Sequence, residues 1–258
     1  MATISLNKTV DDIFSGYSKL EAPEERKEHK VEGSLFFEGF EELVKKYERI
    51  LAISTYYVSG VLDEIDSILQ PEQIDSFLQS TIRYDEHKNY SENTGLFITR
   101  LIQNSHNAGN NRFMLNTKAL SKDINYIGGE LKGREKNLLE IIVGGDCGEA
   151  CGIWAKNIRK IRIARNAGKK CGFGANNLKE LYIGGNAGEF CGSGALNIRQ
   201  IYIGGKAQSI CGDTARNSTF KTPNEETLRL LKKNVPKGQG NKIYFIHPDN
   251  HEEEIKEW

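Results

Sequence analysis

Residues 137 to 216 repeat every twenty residues without a gap, and no other property of the chain restricts its fold as tightly. In register the rows read NLLEIIVGGDCGEACGIWAK from Asn137, NIRKIRIARNAGKKCGFGAN from Asn157, NLKELYIGGNAGEFCGSGAL from Asn177 and NIRQIYIGGKAQSICGDTAR from Asn197. A repeat this short cannot bury its own apolar side. It stacks on its neighbours, and the stack is a solenoid.

Read down the rows, Leu138, Ile158, Leu178 and Ile198 form one apolar file. Ile141, Ile161, Leu181 and Ile201 form a second, and Val143, Ile163, Ile183 and Ile203 a third. The two-residue step between the last two files predicts a short strand with one face inward. Gly144-Gly145, Gly184-Gly185 and Gly204-Gly205 follow, where the chain is expected to turn. Ala167, Ala187 and Ala207, the file Cys151, Cys171, Cys191 and Cys211, and the file Ala155, Ala175, Ala195 and Ala215 then step inward by fours, as a narrow wall requires. Asn137, Asn157, Asn177, Asn197 and Asn217 stand at the corner before each strand. Asn accepts left-handed backbone, and stacked amides can bond one another along the stack.

Strand, turn and stacked Asn predict a β-helix. The leucine-rich frame Leu-x-x-Leu-x-Leu-x-x-Asn also fits IRKIRIARN and LKELYIGGN, but its Asn would fall in the file Asp146, Asn166, Asn186 and Lys206, which drifts. The segments LYIGGNAGEFCGSGA (181 to 195) and IIVGGDCGEACG (141 to 152) resemble the Gly-rich repeats of the right-handed β-helix domains in the glutamate synthase large subunit and a formylmethanofuran dehydrogenase subunit. The resemblance covers the C-terminal repeats only. It departs at the corner, where this chain has Asn plus Leu or Ile in place of Gly-Gly. It implies a right-handed solenoid acting as a scaffold and carries over no catalytic residue.

Upstream, ALSKDINYIGG (119 to 129) aligns with ALNIRQIYIGG (195 to 205) as an incomplete first rung. Downstream, Thr222-Pro223-Asn224-Glu225 predicts a helix start with Thr222 as cap, running to about 234, and KIYFI (242 to 246) a closing strand. The tail HPDNHEEE reads as solvated. The expected class is α+β: a helical region over 1–105, then a short right-handed β-helix of 20-residue rungs over 106–258, capped by a helix and a strand.

In the helical part, Phe36, Phe40, Leu43, Tyr47, Ile50, Ser54, Tyr57, Val61, Ile65 and Ile68 are separated by alternating steps of four and three for most of their length. That spacing predicts one long helix or a broken pair, with a break near 70 before Pro71. The seam faces either a coiled-coil partner or the next domain.

Thirty-five Lys plus Arg balance thirty-five Asp plus Glu, so any charge-driven partner must be met by a local patch. Residues 1–30 lack the apolar core of a secretory signal, no run is long enough to span a bilayer, and five cysteines form an odd count, which together predict a cytoplasmic protein with reduced thiols. A straight file of Cys cannot converge on a tetrahedral metal, and no cofactor motif stands outside the repeats; only Cys147 and Cys151 could approach one another by bending a turn. No catalytic residue is assigned. A carbohydrate-active β-helix would need clustered carboxylates, and Asp146, Glu149, Glu180, Glu189 and Asp213 fall in unrelated columns.

The exception is one cationic run, Lys156, Arg159, Lys160, Arg162, Arg165, Lys169 and Lys170, with no acid inside it. It is either a binding patch for nucleic acid or an acidic protein, or a solvated face paired with Glu140 and Glu180. The expected function is a non-catalytic scaffold or protein-interaction module, with self-association or a protein partner, no membrane and no small-molecule ligand.

Overall fold

The computed structural model describes residues 40–134 and 137–258. Phe36 and the signal-peptide reading of residues 1–30 lie outside the described residues.

The described chain opens with α1 (Glu41–Ala52), which buries Leu43, Tyr47 and Ile50 on the predicted seam and Leu51 beside it. The seam ends there, earlier than expected: Ile53 and Ser54 are extended, and a 3-10 turn (Thr55–Tyr57) leads into the short α2 (Val58–Leu62). The cause is tertiary. Asn93 Nδ2 donates to the carbonyls of Ile50 (2.8 Å) and Ile53 (2.9 Å), and Asn89 Nδ2 to those of Leu51 (3.1 Å) and Ile53 (2.9 Å). These amides satisfy the orphan carbonyls at the end of α1. Beyond the break, Val58, Ile65 and Leu69 face inward while Tyr57 and Ile68 are 68% and 60% exposed.

Pro71 opens α3 (Pro71–Ser80) as expected, and α4 (Tyr90–Asn107) follows. Tyr47, Phe77 and Phe97 meet at ring-centroid distances of 5.1 to 5.5 Å. Helix α4 closes the first turn of the solenoid. Thr99 Oγ1 donates to the Tyr126 carbonyl and accepts from the Gly128 N–H, and the Gln103 amide bonds both the N–H and the carbonyl of Lys132. Helices and solenoid share one apolar core.

The solenoid makes about five turns. Its strands β1 (Arg112–Leu115), β2 (Glu140–Val143), β3 (Lys160–Ile163), β4 (Glu180–Ile183), β5 (Gln200–Ile203), β6 (Thr219–Thr222) and β7 (Lys242–Ile246) are parallel in sequence order. Ile141 pairs with Ile161, Ile161 with Leu181 and Leu181 with Ile201, as the columns require. The predicted inward strand files and the Cys and Ala155 files are buried. In the first row Leu139 is buried and Leu138 only half-buried, because Asn137 bridges antiparallel to Arg134 and brings the chain in at a different angle.

The paired glycines stand at the bend after each strand, as expected, and also at close approaches: a Cβ on Gly185 would lie 2.5 Å from Asn166 Oδ1, and one on Gly205 2.4 Å from Asn186 Oδ1. The left-handed residues come later in the turn, at Ala150, Gly152, Trp154 and Asn157 and at their equivalents one repeat on. The upstream IGG is out of phase. Tyr126, Gly128 and Glu130 have positive φ, and Gly152 donates to the Ile127 carbonyl, so this segment stacks on the Cys151 turn, and RFML (β1) is the strand below β2.

At the other end α5 (Glu225–Asn234) is capped by Asn224, whose side chain accepts from Thr227 N–H at 3.0 Å, two residues beyond the expected cap. Thr222 Oγ1 instead accepts from the Asn224 N–H. Strand β7 joins β6 as predicted. The tail is not merely solvated: Glu252–Glu254 form β8, antiparallel to β7, and give the sheet an edge of exposed carboxylates that repels other edges.

Candidate functional site

The structure distributes the seven cations of the run 156–170 around a turn and does not gather them. Lys160 pairs with Glu180 (3.1 Å), Lys169 with Glu189 (3.1 Å) and Arg165 with Asp146 (3.8 Å). The Arg162 guanidinium lies 4.6 Å from the Tyr182 ring centroid, and Tyr182 stacks on Tyr202 at 4.6 Å with planes 2° apart. These ring faces are spent on each other and on Arg162. Lys170 stands on the turn with positive φ, away from the strand face. Glu140 faces Arg112 at 3.9 Å, so the pairing expected across β2 and β3 holds only for Glu180.

Lys156 and Arg159 remain, and both flank the Asn corner. Asn157, Asn177, Asn197 and Asn217 have φ of 57°, 55°, 57° and 47°. Asn177 Nδ2 donates to Asn157 Oδ1 at 2.8 Å, and Asn217 Nδ2 to Asn197 Oδ1 at 3.2 Å, so amides pair along the corner as the repeat predicts; Asn137 turns away to the Gly109 carbonyl. On one side of the corner, parallel bridges align Lys132, Lys156, Asn176, Leu196 and Arg216. On the other side Arg159, Lys179 and Arg199 precede paired residues of β3, β4 and β5 and form a second file. Lys132, Lys156, Arg159, Lys179, Arg199 and Arg216 are exposed and have no ion-pair partner among the described residues. Neither file contains an acid.

Parallel strands lie about 4.8 Å apart, so the file puts like charges on adjacent turns, an arrangement that is unfavourable in a sheet unless an anion is held there. Elsewhere the solenoid neutralises the same situation, as Lys160 and Glu180 show. Sequence reading followed the cations along the chain and so missed Lys132, Lys179, Arg199 and Arg216. Reading the column 159, 179, 199 down the repeat would have found most of the file.

A groove of about 880 Å³ runs between the helices and the first turns. Lys132, Gly133 and Arg134 belong both to its wall and to the corner, while Tyr56 and Trp154 face it from the helical and solenoid sides. They are 84% and 47% exposed. Trp154 rests on Gly174, where a Cβ would come 2.2 Å from the indole, and its edge meets Phe173 at 5.3 Å. Arg100 in the groove is held 3.5 Å from Asp63, and Arg134 donates to Asn107 Oδ1 at 3.4 Å.

The other sequence candidates resolve locally. All five cysteines are free and buried. The Cys147 thiol and burial push Cys151 well above the ordinary thiol range, and Cys191 and burial do the same to Cys211, which makes them poor nucleophiles. Asp146 accepts from the N–H and side chain of Asn166, and the same corner continues as Asn186 N–H to Asn166 Oδ1 and Lys206 N–H to Asn186 Oδ1. The column that appeared to drift is thus a hydrogen-bonded corner whose side-chain oxygen accepts from the next turn's backbone. His247 meets Glu253 at 3.0 Å. Among the described residues no group of three or more His, Cys, Asp or Glu could hold a metal, and no helix is long and apolar enough to cross a membrane. Compared with protein-family models, curated proteins and solved structures, the chain gives no match.

Proposed function

We propose that the protein is a non-catalytic binding module: a rigid solenoid, read as right-handed like nearly all parallel crossovers, that presents one cationic corner to an anionic partner. The observation that carries this reading is the file Arg159, Lys179 and Arg199, three exposed cations on consecutive turns with no ion-pair partner among the described residues. Several strand charges instead meet an acid on a neighbouring strand, Arg112 with Glu140, Lys160 with Glu180 and Lys242 with Glu254, which marks the corner as different. Buried free thiols suit a reducing compartment such as the cytoplasm, and the likeness to Gly-rich β-helix domains agrees with a scaffold.

The test is retention on immobilised heparin, a generic polyanion. The triple variant Arg159→Gln, Lys179→Gln, Arg199→Gln should fold with unchanged thermal stability, because these side chains are exposed and unpaired, and should elute at clearly lower salt than the parent. Elution at the same salt would remove the corner from the proposed site.

A further inference from the structure

Resting on that reading, we infer that the corner and the adjoining groove form one continuous site for a single-stranded nucleic acid, RNA or DNA, with the corner tracking the phosphates and Trp154 and Tyr56 stacking bases. A polyanion of any kind would be drawn to Arg159, Lys179 and Arg199. The aromatic groups separate the classes of ligand. Most exposed rings of this solenoid are already used: Tyr182 is sandwiched between Arg162 and Tyr202, and Lys221 lies 5.3 Å from the Tyr244 ring centroid. Trp154 differs. Its seat on Gly174 and its edge contact with Phe173 orient the indole, and what is left exposed lines the groove that Tyr56 faces from the helical wall.

The groove adjoins the cationic corner through Lys132. Lys132 lines it and also begins the column that continues with Lys156 one turn on. Its charges favour an anion: Arg100 and Asp63 neutralise each other, leaving Glu130 against Lys132 and Arg134. Between Lys156 and Arg159 the corner adds the side-chain amide of Asn157 as an uncharged donor, whereas on the next two turns the first column holds Asn176 and Leu196. A basic track that follows a backbone, joined to oriented aromatic rings that accept any base, is the arrangement by which single strands are bound without strong sequence preference. A duplex hides its base faces from such rings, and a polyglutamate chain has no aromatic face to stack on Trp154.

The test uses the full chain and labelled oligo(U) and oligo(dT) of about 12 nucleotides, followed by fluorescence anisotropy, with a duplex of equal length and polyglutamate as comparators. The two single strands should bind, and the duplex and polyglutamate should bind clearly more weakly. Removing Arg159, Lys179 and Arg199 together should reduce the slope of log affinity against log salt by about 2. Trp154→Ala should weaken single-strand binding about tenfold while leaving heparin retention unchanged, and Trp154→Phe should restore most of it. The chain has two tryptophans, so in a Trp258→Phe background Trp154 emission should be quenched on adding oligo(dT). Should Trp154→Ala fold poorly, Tyr56→Ala and the quenching experiment in the Trp154-containing protein carry the same question. Polyglutamate binding as tight as oligo(U), or emission that oligo(dT) does not alter, overturns this inference. Heparin retention that persists without single-strand binding overturns it too but leaves the anion-binding corner standing, whereas loss of both removes both.

Discussion

At the scale of single residues, the corner shows why Asn and not merely a polar residue recurs there. Asn177 has φ +55°, and its amide reaches Asn157 Oδ1 at 2.8 Å, so it meets a backbone and a side-chain requirement together. Asn177→Val puts a β-branched residue in the left-handed region and should cost about 1–3 kcal/mol, read as a lower denaturation midpoint. Asn177→Gly keeps the backbone and loses only the amide pair, so it should cost less. Glu189→Gln, at an exposed pair with Lys169, should be close to silent; equal losses in Asn177→Val and Glu189→Gln would mean that the corner does not hold the stack.

Asp75 gives a pH-dependent case. Burial pushes its carboxyl above the ordinary value, although the Asn116 N–H donates to it at 2.8 Å. The folded state therefore holds this proton more tightly than the unfolded chain. Its contribution to stability is complete below the unfolded carboxyl value of about 3.9 and is lost as pH rises through the folded value. Asp75→Asn keeps the acceptor and removes the ionisation. Its melting temperature relative to the parent should rise from acid towards neutral pH and then level off, and a difference that is flat with pH would assign the Asp75 environment wrongly.

At the scale of elements, α4 decides more than its length suggests. A Cβ on Gly95 would stand 1.6 Å from the Asn125 carbonyl oxygen, so the helix lies directly on the backbone of the first turn. In an isolated helix Gly→Ala gains about 1 kcal/mol. Here Gly95→Ala should instead lose about 1–3 kcal/mol through overpacking, measured by chemical denaturation. A gain would show that α4 is not pressed against the solenoid. The same helix ends α1 through Asn89 and Asn93, contacts made across roughly forty residues of chain that no local pattern announces. Strand β8 is the counterpart at the other end, where three consecutive glutamates occupy the sheet edge.

At the scale of the whole molecule, the solenoid is close to one-dimensional: each turn contacts its neighbours, and α4 and the β7–β8 hairpin close the ends. Cys151, Cys171, Cys191 and Cys211 lie one above another through this axis, with Cys171 and Cys191 in the middle, and Cys147 belongs to the first of these turns in another column. Thiol labelling in mild denaturant should thus report how the stack opens. Cys171 and Cys191 should label last, after Cys147 and Cys211, as the stack frays from its ends. Simultaneous labelling of all five would show that the helices and solenoid open as one cooperative unit.

The twenty-residue period by itself determined the parallel stack, the inward files and the amide corner, because a gapless repeat leaves each column one environment. Tyr182 over Tyr202 and Ile161 between Ile141 and Leu181 follow from it directly. The two ends were decided by tertiary structure. At RFML and at Leu139 the period is broken, and the phase of the first turn comes from α4 docking through Gly95, Thr99 and Gln103. The candidate site divides in the same way. Arg159 and Lys156 could be found along the chain, and Lys179 and Arg199 by reading down the repeat. Which cations lack an acid partner, and that Trp154 shares a groove with Tyr56 nearly a hundred residues away, depends on side chains meeting across turns and elements. Those pairings are set by where the folded backbone brings charges and rings within contact distance, and a linear order of residues does not contain that distance.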